Sequence, residues 1–211
     1  MRPERLVAVL GTTTGVGKTW ATAQVLSRLR SAGATVAARK PVQSFASCDP
    51  QTDADVLAAA TGERPEDVCP RHRWYAMAMA PPIAAAFVGT APPSLDELVA
   101  EVEWPAEPVQ VGAVETAGGP RSPLASDGDS AALAAAVQPD LTVLVAPAGL
   151  GAINAVRLCV PVLPRPFVVF LNHFDRSDVH DRNLRWLQSD GLDVVVKLDE
   201  LARRVATRPS P

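Results

Sequence analysis

The chain has 211 residues, 47% of them hydrophobic and 20% charged, with a formal net charge of −3. That length suits one α/β domain over 1–207 with a sizeable core, followed by a disordered tail at 208–211. The composition excludes an intrinsically disordered chain, and the slightly acidic balance offers no basic footprint for nucleic acid. Cys48, Cys69 and Cys159 are odd in number and widely spaced, which reads as reduced thiols in a cytoplasmic protein. His72, His173 and His180 are too scattered to suggest a zinc site. No segment approaches the ~20 apolar residues of a membrane helix, so no membrane partner is expected.

Leu6 to Leu10 form an uninterrupted apolar run, read as a strand over 5–10. Directly after it comes Gly11-Thr12-Thr13-Thr14-Gly15-Val16-Gly17-Lys18-Thr19, and then a helical pattern over 17–32 ended by Gly33. Strand, glycine-rich loop and helix are the setting of a phosphate-binding P-loop. The backbone of Thr14, Gly15, Val16 and Gly17 would cradle a nucleoside triphosphate at a helix N-terminus. Lys18 would meet the β- and γ-phosphates and the Thr19 hydroxyl would bind Mg²⁺. The first glycine stands at Gly11, one place earlier than the usual spacing puts it. The bland alternative is a Gly/Thr turn followed by a helix with a solvated lysine.

Further strands are predicted over 35–39, 109–114, 141–146, 166–171 and 192–196. Helices are predicted over 52–61, 81–88, 94–103, 127–137, 152–159, 178–189 and 198–206. Several strands are continuous apolar runs, as in Leu141 to Val145 and Phe167 to Leu171, which suits parallel strands covered on both faces. The alternation predicts a doubly wound, mostly parallel α/β fold with ligands beyond the carboxyl ends of the strands. The segment 63–110 is the least regular.

Candidate chemistry recurs at those strand ends. Lys40 follows the second strand, in Lys40-Pro41-Val42-Gln43-Ser44, and can reach the crevice or sit solvated in a loop. Asp53 opens a helix, where Asp is favoured with or without a metal. Glu115 ends an apolar strand ahead of Thr116-Ala117-Gly118-Gly119, the usual place for a carboxylate that holds Mg²⁺ in a P-loop protein. Thr19, Asp53 and Glu115 are the hard oxygen donors that Mg²⁺ prefers. Gly151, Ala152, Ile153 and Asn154 open a helix whose N-terminus could meet a carboxylate or form a plain tight turn. Asn172, at a strand end, could bond a purine edge or shape a turn.

In order, these pieces resemble the dethiobiotin synthetase family: the 11–19 loop, Lys-Pro-Val at 40–42, Asp53 nine residues before Gly62, Glu115 with Gly118 and Gly119, Leu150 to Asn154, and Asn172. The early first glycine is a habit of that family. The resemblance implies a seven-stranded sheet, a homodimer, and ATP- and Mg²⁺-dependent closure of a ureido ring on 7,8-diaminononanoate with CO₂. It implies catalytic roles for Lys18 and Lys40, substrate contacts from Thr14, Ser44 and Gly118, and a substrate carboxylate held by residues 151–154 across the dimer. The chain departs from the family pattern at Pro82, Thr116, Ala155 and Lys197. The nearest alternative is a partitioning-type ATPase, which would carry a signature lysine in the loop where this chain has Thr13 and Thr14.

Overall fold

The computed structural model describes residues 1–207; the tail expected at 208–211 lies outside the described residues. In chain order the elements are β1 (Arg5–Gly11), α1 (Lys18–Ser31), β2 (Val36–Arg39), β3 (Gln43–Ser44), α2 (Asp53–Thr61), α3 (Pro65–Val68), β4 (Trp74–Tyr75), α4 (Pro81–Phe87) and α5 (Leu95–Ala100). There follow β5 (Val111–Glu115), α6 (Ser130–Ala136), β6 (Leu141–Pro147), α7 (Ala152–Cys159), β7 (Phe167–Asn172), α8 (Asp178–Ser189), β8 (Val194–Val195) and α9 (Leu198–Ala206).

Six strands form one sheet in the order β2-β5-β1-β6-β7-β8, and every pairing in it is parallel. All seven residues of β1 are buried, so this strand is covered on both faces as its continuous apolar run requires. Alternate residues serve opposite layers. Val7, Val9, Ala113, Val143 and Phe170 pack with Val25 and Leu26 of α1, Leu57 of α2 and Leu201 of α9. Ala8, Leu10, Leu144, Val169 and Leu171 face Val156 of α7 and Leu187 of α8. Leu6 and Val114 face Leu98 of α5 and Leu133 of α6.

The main sheet has six strands where the resemblance implied seven. After Arg39 the chain leaves the sheet: the Lys40 amide donates to the Val68 carbonyl, and Pro41 has no amide hydrogen to extend the ladder. β3 and β4, two residues each, pair instead with one another. The order places β1 between strands reached on either side, and the crevice opens at the carboxyl ends of β1, β2 and β5.

Candidate active site

The loop between β1 and α1 is built on three glycines. A Cβ at Gly11 would lie 2.6 Å from Val16 Cγ2 and 2.9 Å from Lys18 Cγ, so only glycine lets the loop fold back over the strand end. Gly15 and Gly17 have φ of 76° and 88°, a left-handed backbone that glycine adopts without steric penalty. The Lys18 stem is buried, and its Nζ donates to the carbonyls of Thr13 and Gly118, each at 3.1 Å. Burial, with the Lys40 cation next, lowers the Lys18 ammonium to a pKa of about 8. Glu115 and Asp53 oppose this only in part, and a bound polyphosphate would add anionic charge beside the ammonium.

Lys40 is only 1% exposed and Glu115 is fully buried. Lys40 Nζ lies 2.7 Å from Asp53 Oδ2 and 2.8 Å from Glu115 Oε1, and it also donates to the Thr116 carbonyl at 3.1 Å. Burial works against the charged ammonium. Glu115 and Asp53 outweigh it, so the pKa of Lys40 stands above that of an ordinary lysine. Lys40 in turn holds the Asp53 carboxyl below the usual carboxylate range.

Thr19 Oγ1 lies 2.7 Å from Asp53 Oδ1 and 2.8 Å from Glu115 Oε1. A hydroxyl has one proton, so one of these two oxygens faces it without a hydrogen bond. Lys40 also donates to Glu115 Oε1, and the three converging hard oxygens are of the type a small divalent cation takes, one or two carboxylates with the rest of the shell from phosphates and water. Two carboxylates and a hydroxyl are donors of the kind Mg²⁺ takes; among the described residues no group of three or more His, Cys, Asp or Glu side chains is placed to hold a metal ion by itself.

Local sequence explains the placement. Thr52 and Asp55 form a reciprocal capping box that starts α2 and puts Asp53 in its first turn. Gln43 Oε1 accepts the Ala54 amide at 3.0 Å, tying α2 to the segment after Lys40. Thr22, one turn beyond Lys18, lies with its Oγ1 2.9 Å from Glu115 Oε2. Sequence reasoning missed Gln43, Thr22 and the Thr116 carbonyl. The spacing of Thr22, four residues after Lys18 and so on the same helix face, is the signal that could have found it.

A cleft of about 630 Å³ brings together Thr14, Gly15, Gly17, Lys18, Thr19, Lys40, Ser44, Asp53 and Gly118. Ser44 Oγ donates to the Met79 carbonyl at 2.6 Å, and Phe45, Met79 and Pro81 give that wall an apolar character. Gly118, with φ of 64°, turns its carbonyl toward Lys18.

Two groups of expected site residues stand elsewhere. Gly151, Ala152, Ile153 and Asn154 start α7 after β6 and do not line this cleft. Asn172 is 2% exposed; its Nδ2 donates to the Val16 carbonyl at 3.0 Å and its Oδ1 accepts the His173 amide at 2.9 Å. A Cβ at Gly17 would collide with the same Nδ2. In this geometry the asparagine props the P-loop.

A family model described as an AAA domain matches residues 5–165. The ATP-dependent dethiobiotin synthetase of Anaeromyxobacter sp. (strain Fw109-5) is 39% identical over 158 residues, which cover 74% of this chain and 69% of that protein. The ATP-dependent dethiobiotin synthetase of Haloferax mediterranei is 35% identical over 190 residues, 83% of this chain and 75% of the relative. Among solved structures, the signal recognition particle receptor FtsY of Elizabethkingia anophelis aligns with a TM-score of 0.56 at 14% identity, covering 95% of this chain and 62% of that one. A protein described as a plasmid partition protein of Borrelia burgdorferi B31 aligns with a TM-score of 0.56 at 13% identity, covering 97% and 89%. These structural likenesses show the fold alone.

Proposed function

The chain belongs to the dethiobiotin synthetase family, and on that premise we propose that its cleft closes the ureido ring of dethiobiotin from 7,8-diaminononanoate, CO₂ and ATP. It is an ATP-dependent ligase forming carbon–nitrogen bonds. The observation that carries the reading is Lys40: a second lysine, from a different strand end, buried in the same cleft as the P-loop lysine and held by two carboxylates. In a protein that only binds nucleotide this cation would do no more than neutralise Glu115 and Asp53.

The reaction needs several negative charges held close together. One amine of the substrate captures CO₂ as a carbamate, whose oxygen attacks the γ-phosphorus and releases ADP. The second amine then attacks the carbonyl carbon of the carbamic–phosphoric anhydride, and phosphate leaves as the ring closes. No covalent enzyme intermediate is required, so the protein contributes positioning and charge. Lys18 and the loop amides hold the β- and γ-phosphates. Lys40 neutralises the carbamate and the transferring phosphoryl oxygens as they converge. Thr14, Ser44 and the Gly118 carbonyl line the path of the amines. Thr19, Asp53 and Glu115 would hold Mg²⁺, which when bound neutralises phosphate charge.

Asn172 serves the nucleotide by fixing the loop through the Val16 carbonyl. Residues 151–154 would serve the substrate carboxylate from the second subunit of a homodimer, since they lie outside the cleft of their own chain. Among the described residues no helix is long and apolar enough to cross a membrane. We place the enzyme in the cytoplasm, acting as one unit over 1–207 on small molecules, with neither nucleic acid nor membrane as partner. The test is incubation of the protein with diaminononanoate, bicarbonate, Mg²⁺ and ATP. Dethiobiotin and ADP are expected in equal amounts, and ATP consumption without dethiobiotin overturns the proposal.

A further inference from the structure

Trp20 is the first residue past Thr19, in the first turn of α1, and its indole lines the cleft while remaining 46% exposed. Facing it is His173, whose ring lies nearly parallel at an interplanar angle of 16° and a centroid distance of 6.5 Å. His173 is held in the left-handed region at φ 57°, a conformation that few residues other than glycine adopt, in the turn directly after β7. Histidine is one of the residues that tolerate this backbone, and the turn sets the imidazole against the indole of Trp20. Asn172, the residue before His173, has both ends of its amide engaged, by the Val16 carbonyl and the His173 amide.

A triphosphate seated on the loop has its γ-end at Lys18 and its nucleoside end leaving across the start of α1. Trp20 is the aromatic side chain of that first turn, and it lines the cleft. We propose that Trp20, backed by His173, forms an aromatic surface on which the nucleobase stacks, so that the base is held by its face. This rests on the P-loop reading above and adds what grips the nucleoside. An exposed indole beside a near-parallel imidazole offers a flat apolar surface, and every base has a π-face to lay on it. Stacking is tolerant of base identity, so the platform gives affinity for nucleoside triphosphates in general, with purines ahead of pyrimidines because their face is larger.

The test is calorimetric binding of ATP, CTP and inorganic tripolyphosphate to the full chain with Mg²⁺. Trp20→Ala is expected to weaken ATP about tenfold or more and CTP less, with tripolyphosphate changed by under about twofold. Trp20→Phe restores most of the loss. His173→Asn removes the ring while keeping a residue tolerant of left-handed backbone, and it weakens ATP to a smaller degree. Unchanged ATP affinity in Trp20→Ala overturns the platform, and so does equal weakening of ATP and tripolyphosphate. The dethiobiotin assay separates the two readings. Product from the wild type with an indifferent Trp20→Ala defeats the platform alone. Selective ATP loss in Trp20→Ala without product from the wild type defeats the synthetase reading alone.

Discussion

At the scale of single residues, Lys40 concentrates the energetics of the site. Its partner Glu115 is fully buried, so Lys40→Met leaves a carboxylate in the interior without its cation. Breaking a buried pair from one side costs about 3 kcal/mol or more, which for a chain of this size is roughly 6–12 °C in Tm. The variant is expected to lose at least about 10²-fold in kcat while ATP affinity changes little. Because Mg²⁺ replaces the missing positive charge beside Asp53 and Glu115, it is expected to raise the Tm of Lys40→Met by more than that of the wild type. A melting curve indifferent to the substitution would show that the carboxylates do not depend on Lys40. Unimpaired dethiobiotin formation would remove Lys40 from the chemistry. The cysteines give a second residue-level test. Burial pushes the Cys69 thiol up to about 12 and raises that of Cys159 as well, whereas Cys48 is exposed. Since the thiolate is the nucleophile, iodoacetamide at pH 8 on the native chain should label Cys48 and spare the other two, as peptide mass spectrometry will read. Labelling of Cys69 at a rate comparable to Cys48 would mean that the segment carrying it opens readily.

At the scale of elements, the P-loop works because β1, the loop and β7 are locked to one another. Gly11 ends β1 in the space that Val16 and the Lys18 stem occupy, and Gly17 sits against the amide of Asn172 from β7. Gly11→Ala therefore pushes on the Lys18 stem without disturbing any positive-φ position. Triphosphate affinity should fall by about tenfold or more, with a smaller change in Tm than a core substitution gives. Retained affinity would mean that the loop has slack around Lys18. The α2 start is a separate element-level device. Thr52→Ala removes the capping box that sets Asp53 in the first turn, at about 1 kcal/mol of stability. If Asp53 is a metal ligand, the Mg²⁺ concentration for half-maximal activity should rise in Thr52→Ala while the KM for ATP measured at saturating Mg²⁺ stays near its wild-type value. An unchanged Mg²⁺ curve would assign the capping box to stability alone.

At the scale of the whole molecule, the sequence conveys the parallel sheet because burial on both faces leaves continuous apolar runs, as at Leu141 to Val145 and Phe167 to Leu171. It conveys Lys18, Thr19 and Glu115 because each stands directly at a strand end or helix start. It says little of the segment between Lys40 and Val109, where two-residue strands and short helices are fixed by contacts such as Gln43 to Ala54 that no periodicity records. It is likewise silent on how Asn172 is used, since a strand-end asparagine can turn its amide to a loop or to a ligand with the same local pattern. The homodimer is a large-scale expectation that a single chain leaves open, and the surface around α7 makes it testable. Leu150 is 96% exposed just before the α7 cap Gly151, and Leu158 on the same helix is also exposed. Exposed apolar side chains at the two ends of one short helix are covered at low cost by a second copy, and that arrangement would carry residues 151–154 toward the partner's cleft. Light scattering should give twice the mass of one chain. Leu150→Asp should shift the protein toward monomer and raise the KM for diaminononanoate by about tenfold or more, with the ATP dissociation constant unchanged because the P-loop is complete within one chain. A wild-type protein that is monomeric and active would defeat the two-subunit site. So would a Leu150→Asp monomer with normal diaminononanoate KM, because the substrate carboxylate would then have to find its anchor inside the cleft already described.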